Sequence, residues 1–146
     1  MIDRLSVEDG RILVNIARQA IEANLEGKAF EPNSNGIPEL KLLRGVFVTL
    51  LTTSKTQALR GCIGNPFPKS SLLDETVRCA IEAATLDPRF EPVERDELSR
   101  MTLEVTVLSP VEYLIVKNPL DLPLKIKVGR DGLLVEGEGL RGLLLP

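Results

Sequence analysis

Apolar residues recur at helical spacing from Val7 to about Glu26. Leu13, Ile16, Ala17, Ala20 and Ile21 share one face with a single polar intruder, Asn24, while Arg11, Asn15, Arg18 and Glu22 line the other. Ser6 and Asp9 have the spacing of a capping box, and Gly27 stands where a C-terminal cap belongs. The pattern predicts a helix that covers a sheet. Lys28 to Glu39 reads as a loop punctuated by Pro32, Asn33, Asn35, Gly36 and Pro38, and Leu40 to Leu43 as a short apolar lead-in. The period then changes. Arg44 to Leu51 is apolar on both faces, as expected of a strand in the middle of its sheet. Thr52 to Gln57 makes a polar turn. Ala58 to Ile63 returns as the antiparallel partner, and Asn65-Pro66-Phe67-Pro68 ends it.

Ser71 and Asp74 open a second helix, predicted from Leu72 to about Leu86. Leu73, Val77, Ala80, Ile81 and Ala84 form its expected principal face. Leu72, Thr76, Cys79 and Ala83 make a flanking stripe, and Asp74, Glu75, Arg78 and Glu82 face water. Asp87-Pro88-Arg89-Phe90-Glu91-Pro92 stops the helix. After a helical turn at Glu94 to Leu98, Met101 to Leu108 alternates as a half-buried strand. Gly129-Arg130-Asp131-Gly132 lies between Lys125–Val128 and Leu133–Val135 and reads as a hairpin turn rather than a phosphate loop, since no helix follows it. Gly137 and Gly139 mark a second turn before a strand from Leu140 to Leu145. Helices mixed with antiparallel hairpins, without strict β-α-β alternation, predict an α+β fold.

Composition narrows the function classes. A chain of 146 residues suits one domain. A net charge of −3 argues against general nucleic-acid affinity, which needs a basic surface. Met1-Ile2-Asp3-Arg4 lacks the apolar core of a signal peptide, and no apolar run approaches the roughly 20 residues that span a bilayer. The expectation is a cytoplasmic protein without a membrane span. Its two cysteines are then thiols. Histidine is absent, which removes His-assisted nucleophilic catalysis within the chain and every His-containing zinc site, while carboxylate-bound calcium or magnesium stays open. Few Asn and Gln beside many Glu, Lys and Arg point to a thermophilic source.

The densest chemistry is Leu59-Arg60-Gly61-Cys62-Ile63-Gly64. Alternation along a strand sends Leu59 and Ile63 one way and Arg60 and Cys62 the other. A cation beside a thiol favours the thiolate, lowering a cysteine from about 8.5. Gly61 and Gly64 let a ligand or another backbone approach closely, or supply a bulge. These features suit a nucleophile or an anion clamp. They also suit plain packing, with glycines that admit a helix, Cys62 as a small filler and Arg60 paired to a structural carboxylate. Leu140-Arg141-Gly142 echoes Leu59-Arg60-Gly61, so Arg60, Arg89 and Arg141 are candidate contacts for a carboxylate or phosphate, or else three separate ion pairs. Asp87 and Glu104 are candidate carboxylates for proton transfer. Cys79, on the flank of a packing face, reads as an inert small hydrophobe.

The hexapeptide resembles the signature of the AMMECR-type domain family, named for a chromosomal region linked to Alport syndrome, midface hypoplasia and elliptocytosis. Asp87-Pro88-Arg89-Phe90, Leu103-Glu104-Val105-Thr106-Val107-Leu108-Ser109-Pro110, Val128-Gly129-Arg130-Asp131-Gly132-Leu133 and Arg141-Gly142-Leu143-Leu144-Leu145-Pro146 agree in order, so the likeness spans essentially the whole chain. The resemblance implies an antiparallel sheet flanked by helices, with a smaller second lobe and a cleft lined by the hexapeptide. It names no settled reaction and no cofactor; proposals for the family run from replication, transcription or translation to enzymatic work. Microbial relatives often occur beside a radical-SAM protein and a Memo-like protein, which favours small-molecule chemistry. Relatives also continue past the Leu-Leu-Leu-Pro segment. The expectation is therefore one AMMECR-type domain, incomplete at its C-terminus, whose apolar end is covered by further chain or by a partner such as a second copy. Its function is expected to be binding of a small molecule, as an enzyme or enzyme component. The alternative is an interaction module for a protein partner.

Overall fold

A computed structural model describes residues 5–34 and 36–146. The readings placed on Met1 to Arg4 and on Asn35 lie outside the described residues. The chain divides into two compact units, residues 1–110 and 111–146.

The first unit opens with helix α1, Val7–Leu25. Ser6 accepts a hydrogen bond from the Asp9 N–H, and the Asp9 carboxylate accepts one from the Ser6 N–H, so the capping box forms. At the other end Gly27 has φ +68°, with Lys28 N–H bonded to the Ala23 carbonyl and Gly27 N–H to that of Asn24. This is the glycine-terminated end that the sequence predicts. Asn24 is exposed, and the buried stripe ends at Ile21. A short 3₁₀ turn, Pro38–Lys41, buries Leu40. Strands β1 (Val46–Thr52), β2 (Leu59–Asn65) and β3 (Met101–Val107) form an antiparallel sheet in the order β2-β1-β3. The strand with apolar residues on both faces is therefore central, as expected.

Helix α2, Leu72–Thr85, packs on β1 and β2, while α1 packs on α2 and β3. Val46, Val48 and Leu50 of β1 point into that layer, with Leu13, Ile21, Leu72 and Leu103 around them. Each such buried side chain contributes about 1.5–3 kcal/mol of hydrophobic stabilisation. Two expectations for α2 are corrected. Leu73, Ala80 and Ala84 of the expected principal face are buried, but Val77 and Ile81 are only half-buried, and the flanking stripe Leu72, Thr76, Cys79 and Ala83 is buried throughout. Glu75 does not face water. It is 4% exposed and accepts hydrogen bonds from Ser70 Oγ at 2.7 Å, Asn65 Nδ2 at 3.3 Å and Arg78 at 2.5 Å. Burial works to raise its carboxyl, but these bonds outweigh it and hold Glu75 below the ordinary glutamate range.

The second unit carries a short helix α3, Leu122–Lys125, and a hairpin of β4 (Leu133–Gly137) and β5 (Leu140–Leu144). Its turn is Glu138-Gly139, at φ +50° and +78°, the two-residue geometry whose twist matches a hairpin. The hairpin expected at Asp131-Gly132 does not form. Asp131 instead accepts the Lys127 N–H at 2.9 Å, while the Arg130 and Asp131 N–H groups bond back to the Lys127 carbonyl. The aspartate closes a local turn with no strand before it. Among the described residues no helix is long and apolar enough to cross a membrane.

Candidate functional site

Cys62 sits in β2, directly opposite Thr49 of β1, which in turn lies opposite Glu104 of β3. A thiol, a hydroxyl and a carboxylate thus form one transverse row across the sheet. They lie on the face opposite Val48, Leu50 and Leu103, which α1 and α2 do not cover. Thr49 Oγ1 and Cys62 Sγ are 3.3 Å apart and hydrogen-bonded. Cys62 and Thr49 are half-buried and Glu104 is exposed. Neither Thr49 nor its contact with Cys62 figures among the sequence-derived candidates.

The glycines have packing tasks. Gly61 is buried on the helix side of the sheet, and a Cβ there would stand 2.2 Å from the Ala83 carbonyl oxygen of α2. Gly64 lies opposite Phe47, whose ring rests on it. A Cβ at Gly64 would come within 2.1 Å of that ring.

The arginines separate. The strand register shifts between Leu50 and Leu51, so that Leu50 pairs with Gly61 and Leu51 with Leu59. Arg60 is the extra residue of this bulge, which interrupts the alternation expected to keep it beside Cys62. Its guanidinium forms a fork with Glu97 (Nε–Oε1 3.2 Å, Nη2–Oε2 3.0 Å) and donates to the carbonyls of Glu91 at 2.8 Å and Pro92 at 3.4 Å. The bond from Arg60, reinforced by the Glu94 N–H, holds the Glu97 carboxyl below its ordinary range. Arg89 is the cation that reaches Cys62, donating to its carbonyl oxygen at 3.2 Å. Arg141 belongs to the second unit, where it pairs with Glu136 at 2.5 Å.

Asp87 completes the group. Its carboxylate is 4% exposed and accepts the Cys62 N–H at 2.8 Å. It also accepts Arg89 Nε at 2.9 Å, Arg89 Nη2 at 2.7 Å and the Arg89 N–H at 3.1 Å. The Arg89 side chain is the first cause of a carboxyl held far below the ordinary aspartate range. The Cys62 and Arg89 N–H groups add to it, and burial opposes it. Asp87 is thus a fixed anion, spent on Arg89 and on the main chain of Cys62. The two cysteines also differ. Cys79 is fully buried in α2, and burial is the main cause pushing its thiol up to about 11.

A protein-family model, AMMECR1, matches residues 14–146. The chain belongs to the AMMECR1 family. A protein from Methanothermobacter thermautotrophicus is 50% identical to it over 143 residues, covering 97% of this chain and 73% of that protein. Protein PH0010 from Pyrococcus horikoshii is 48% identical over 149 residues, covering 100% of this chain and 72% of the relative. The crystal structure of PH0010, described as an uncharacterized protein, superposes with a TM-score of 0.89 over 97% of this chain and 70% of that one. AMMECR1 membership accounts for the order of the motifs, and the helix-covered antiparallel sheet is the fold the two proteins share.

Proposed function

We propose that the chain binds a small molecule on the face of the three-stranded sheet turned away from α1 and α2, in contact with Cys62, and works on it as an enzyme or enzyme component. The observation that carries this reading is the transverse row Cys62, Thr49 and Glu104. Side chains directly opposite on antiparallel strands have Cβ atoms about 4.5–5.5 Å apart, so one small ligand can span all three groups. Thr49 is hydrogen-bonded to the thiol, and Glu104 is the carboxylate in the row able to accept a proton from a ligand. Arg60, Gly61, Gly64 and Arg89 support this surface by holding β2 in place. The reading places the protein in the cytoplasm, where Cys62 remains a thiol.

Iodoacetamide is expected to alkylate Cys62 in the native protein at least about a hundredfold faster than Cys79, which reacts only when its surroundings open. Peptide mass spectrometry of a time course reads both rates. Untargeted mass spectrometry of small molecules released from the purified protein identifies the ligand, and its addition should protect Cys62. A native Cys62 as slow as Cys79 overturns the reading.

A second reading, a protein-interaction module, is favoured by apolar side chains open to solvent in the second unit, among them Tyr113 and Val128, each 98% exposed. It requires that Tyr113→Ser abolish capture of a defined partner while leaving Cys62 alkylation unchanged.

A further inference from the structure

Among the described residues strand β2 is an edge strand, so alternate N–H and C=O groups along its outer side have no strand there to bond. At Cys62 both are nevertheless taken. The N–H donates to Asp87 Oδ2 at 2.8 Å, and the carbonyl accepts from Arg89 Nη2 at 3.2 Å. Asp87 and Arg89 are in turn joined by two parallel bonds, Nε–Oδ1 at 2.9 Å and Nη2–Oδ2 at 2.7 Å. One acceptor and one donor, two residues apart, offer the edge what a neighbouring strand would offer. They offer it at one residue, and that residue carries the thiol. Outward main-chain groups also make Cys62 and Thr49 a non-hydrogen-bonded pair, the kind whose side chains stand closest. The 3.3 Å approach of Sγ to Oγ1 follows from that register.

We propose that the Asp87–Arg89 pair is a one-residue substitute for a fourth strand, a positioning device that locks the Cys62 main chain in the register presenting its thiol to Thr49 on the sheet face turned away from α1 and α2. The pair has a second consequence. Arg89 lies within electrostatic range of the Cys62 thiol, and Asp87 cancels its charge. The two side chains that hold the Cys62 main chain, one buried and one 53% exposed, thus also bring a matched pair of charges close to the thiol. Pro88 fits this role, since its ring limits the backbone between the two partners and helps hold their spacing. The proposal rests on the reading of Cys62 as the reactive group.

The two members of the pair predict opposite effects. In Asp87→Asn the Arg89 charge faces the thiol uncompensated, and native alkylation of Cys62 by iodoacetamide at neutral pH should speed up about threefold, the scale of a partly screened charge. In Arg89→Gln the Asp87 charge is left alone and the rate should fall by about the same factor. Arg89→Lys should restore most of it. Glu75→Gln, which weakens a buried cluster on α2 without touching Cys62, is the control for lost stability. It should lower the melting temperature and leave the Cys62 rate within about 1.5-fold of the starting protein. Amide exchange supplies a readout independent of the thiol. The Cys62 N–H should exchange at least about tenfold faster in Asp87→Asn and Arg89→Gln, while the Leu50 and Thr52 N–H groups stay protected. If the starting protein's Cys62 is unreactive, the functional reading fails, and the exchange measurement still decides on the clamp. If Cys62 reacts but both variants shift the rate in the same direction, as Glu75→Gln would if loosening were the cause, the positioning role is overturned. Unchanged Cys62 exchange in Arg89→Gln overturns it as well. Should Asp87→Asn fail to fold, the Arg89 variants carry the test alone.

Discussion

Gly61→Ala is expected to be among the most damaging single-methyl substitutions in this chain, lowering stability by about 3 kcal/mol. The added Cβ would stand 2.2 Å from the carbonyl oxygen of Ala83 and 3.4 Å from Leu50 Cδ1. The first neighbour is helix backbone, which cannot rotate away. Relief requires α2 to lift from β2, and lifting it opens gaps around Cys79 and Ala80 in the centre of the core. Gly64→Ala is the matched comparison. Its Cβ would also come too close, 2.1 Å from a ring carbon of Phe47, but the obstacle is a half-buried side chain and not helix backbone, and it can shift. That substitution should cost about 1 kcal/mol, and less again in a Phe47→Ala background, where the obstructing ring is gone. Denaturant unfolding of the parent, the three single variants and the Phe47→Ala/Gly64→Ala double variant measures all of this. A Gly61→Ala protein as stable as Gly64→Ala would mean that close helix approach is not what Gly61 is for.

Why some of this could be read from the sequence and some could not follows from the forces involved. Period and punctuation located α1, β1, β2, α2 and β3, because each buries one face or both and the patterns at 3.6 and 2 residues register it. Part of the inner face of α2 escaped that logic. Hydrophobicity favours Val77 and Ile81, yet the fully enclosed positions include Thr76, Cys79 and Ala83. Closeness decides there, because Gly61 admits only small neighbours. Glu75 escaped for a related reason. Its burial depends on Ser70, Asn65 and Arg78 arriving together, and no periodicity encodes three partners. In the site, the hexapeptide stood out from residue types alone. Its partner Thr49 did not, since the bulge at Arg60 shifts the count of residues from the turn. The charges near Cys62 were visible but not their pairing. Arg60 meets Glu97 and Arg89 meets Asp87, so the arginines read as anion contacts are already matched by carboxylates of the same unit. At Asp131-Gly132 the dipeptide signal was real, but the aspartate turned the chain locally on Lys127.

Asp87→Ala should cost about 3 kcal/mol at neutral pH and should remove a distinct acid-sensitive part of the stability. The substitution leaves the Cys62 N–H without an acceptor and strips Arg89 of its partner, and each lost bond had a charged member. Half-exposed Arg89 can recover water, so the larger share of the cost falls on the occluded N–H. The sign of the pH effect follows from the direction of the Asp87 shift. Its folded carboxyl titrates well below 3.8, its ordinary value, so the unfolded chain binds the proton first. The stability it contributes is present in full above about pH 5 and drains away as the pH falls through 4 and toward 2. Asp131 adds a weaker trend in the same window, because Arg130 holds it at about 2 in the second unit. The subtraction isolates Asp87. Unfolding free energies of the parent protein and of Asp87→Ala should differ most above pH 5 and converge as acid protonates the parent's carboxylate. A difference that stays constant from pH 7 to pH 3 would mean that Asp87 acts through shape and not as a buried anion, and its place at the Cys62 main chain would then be filled as well by asparagine.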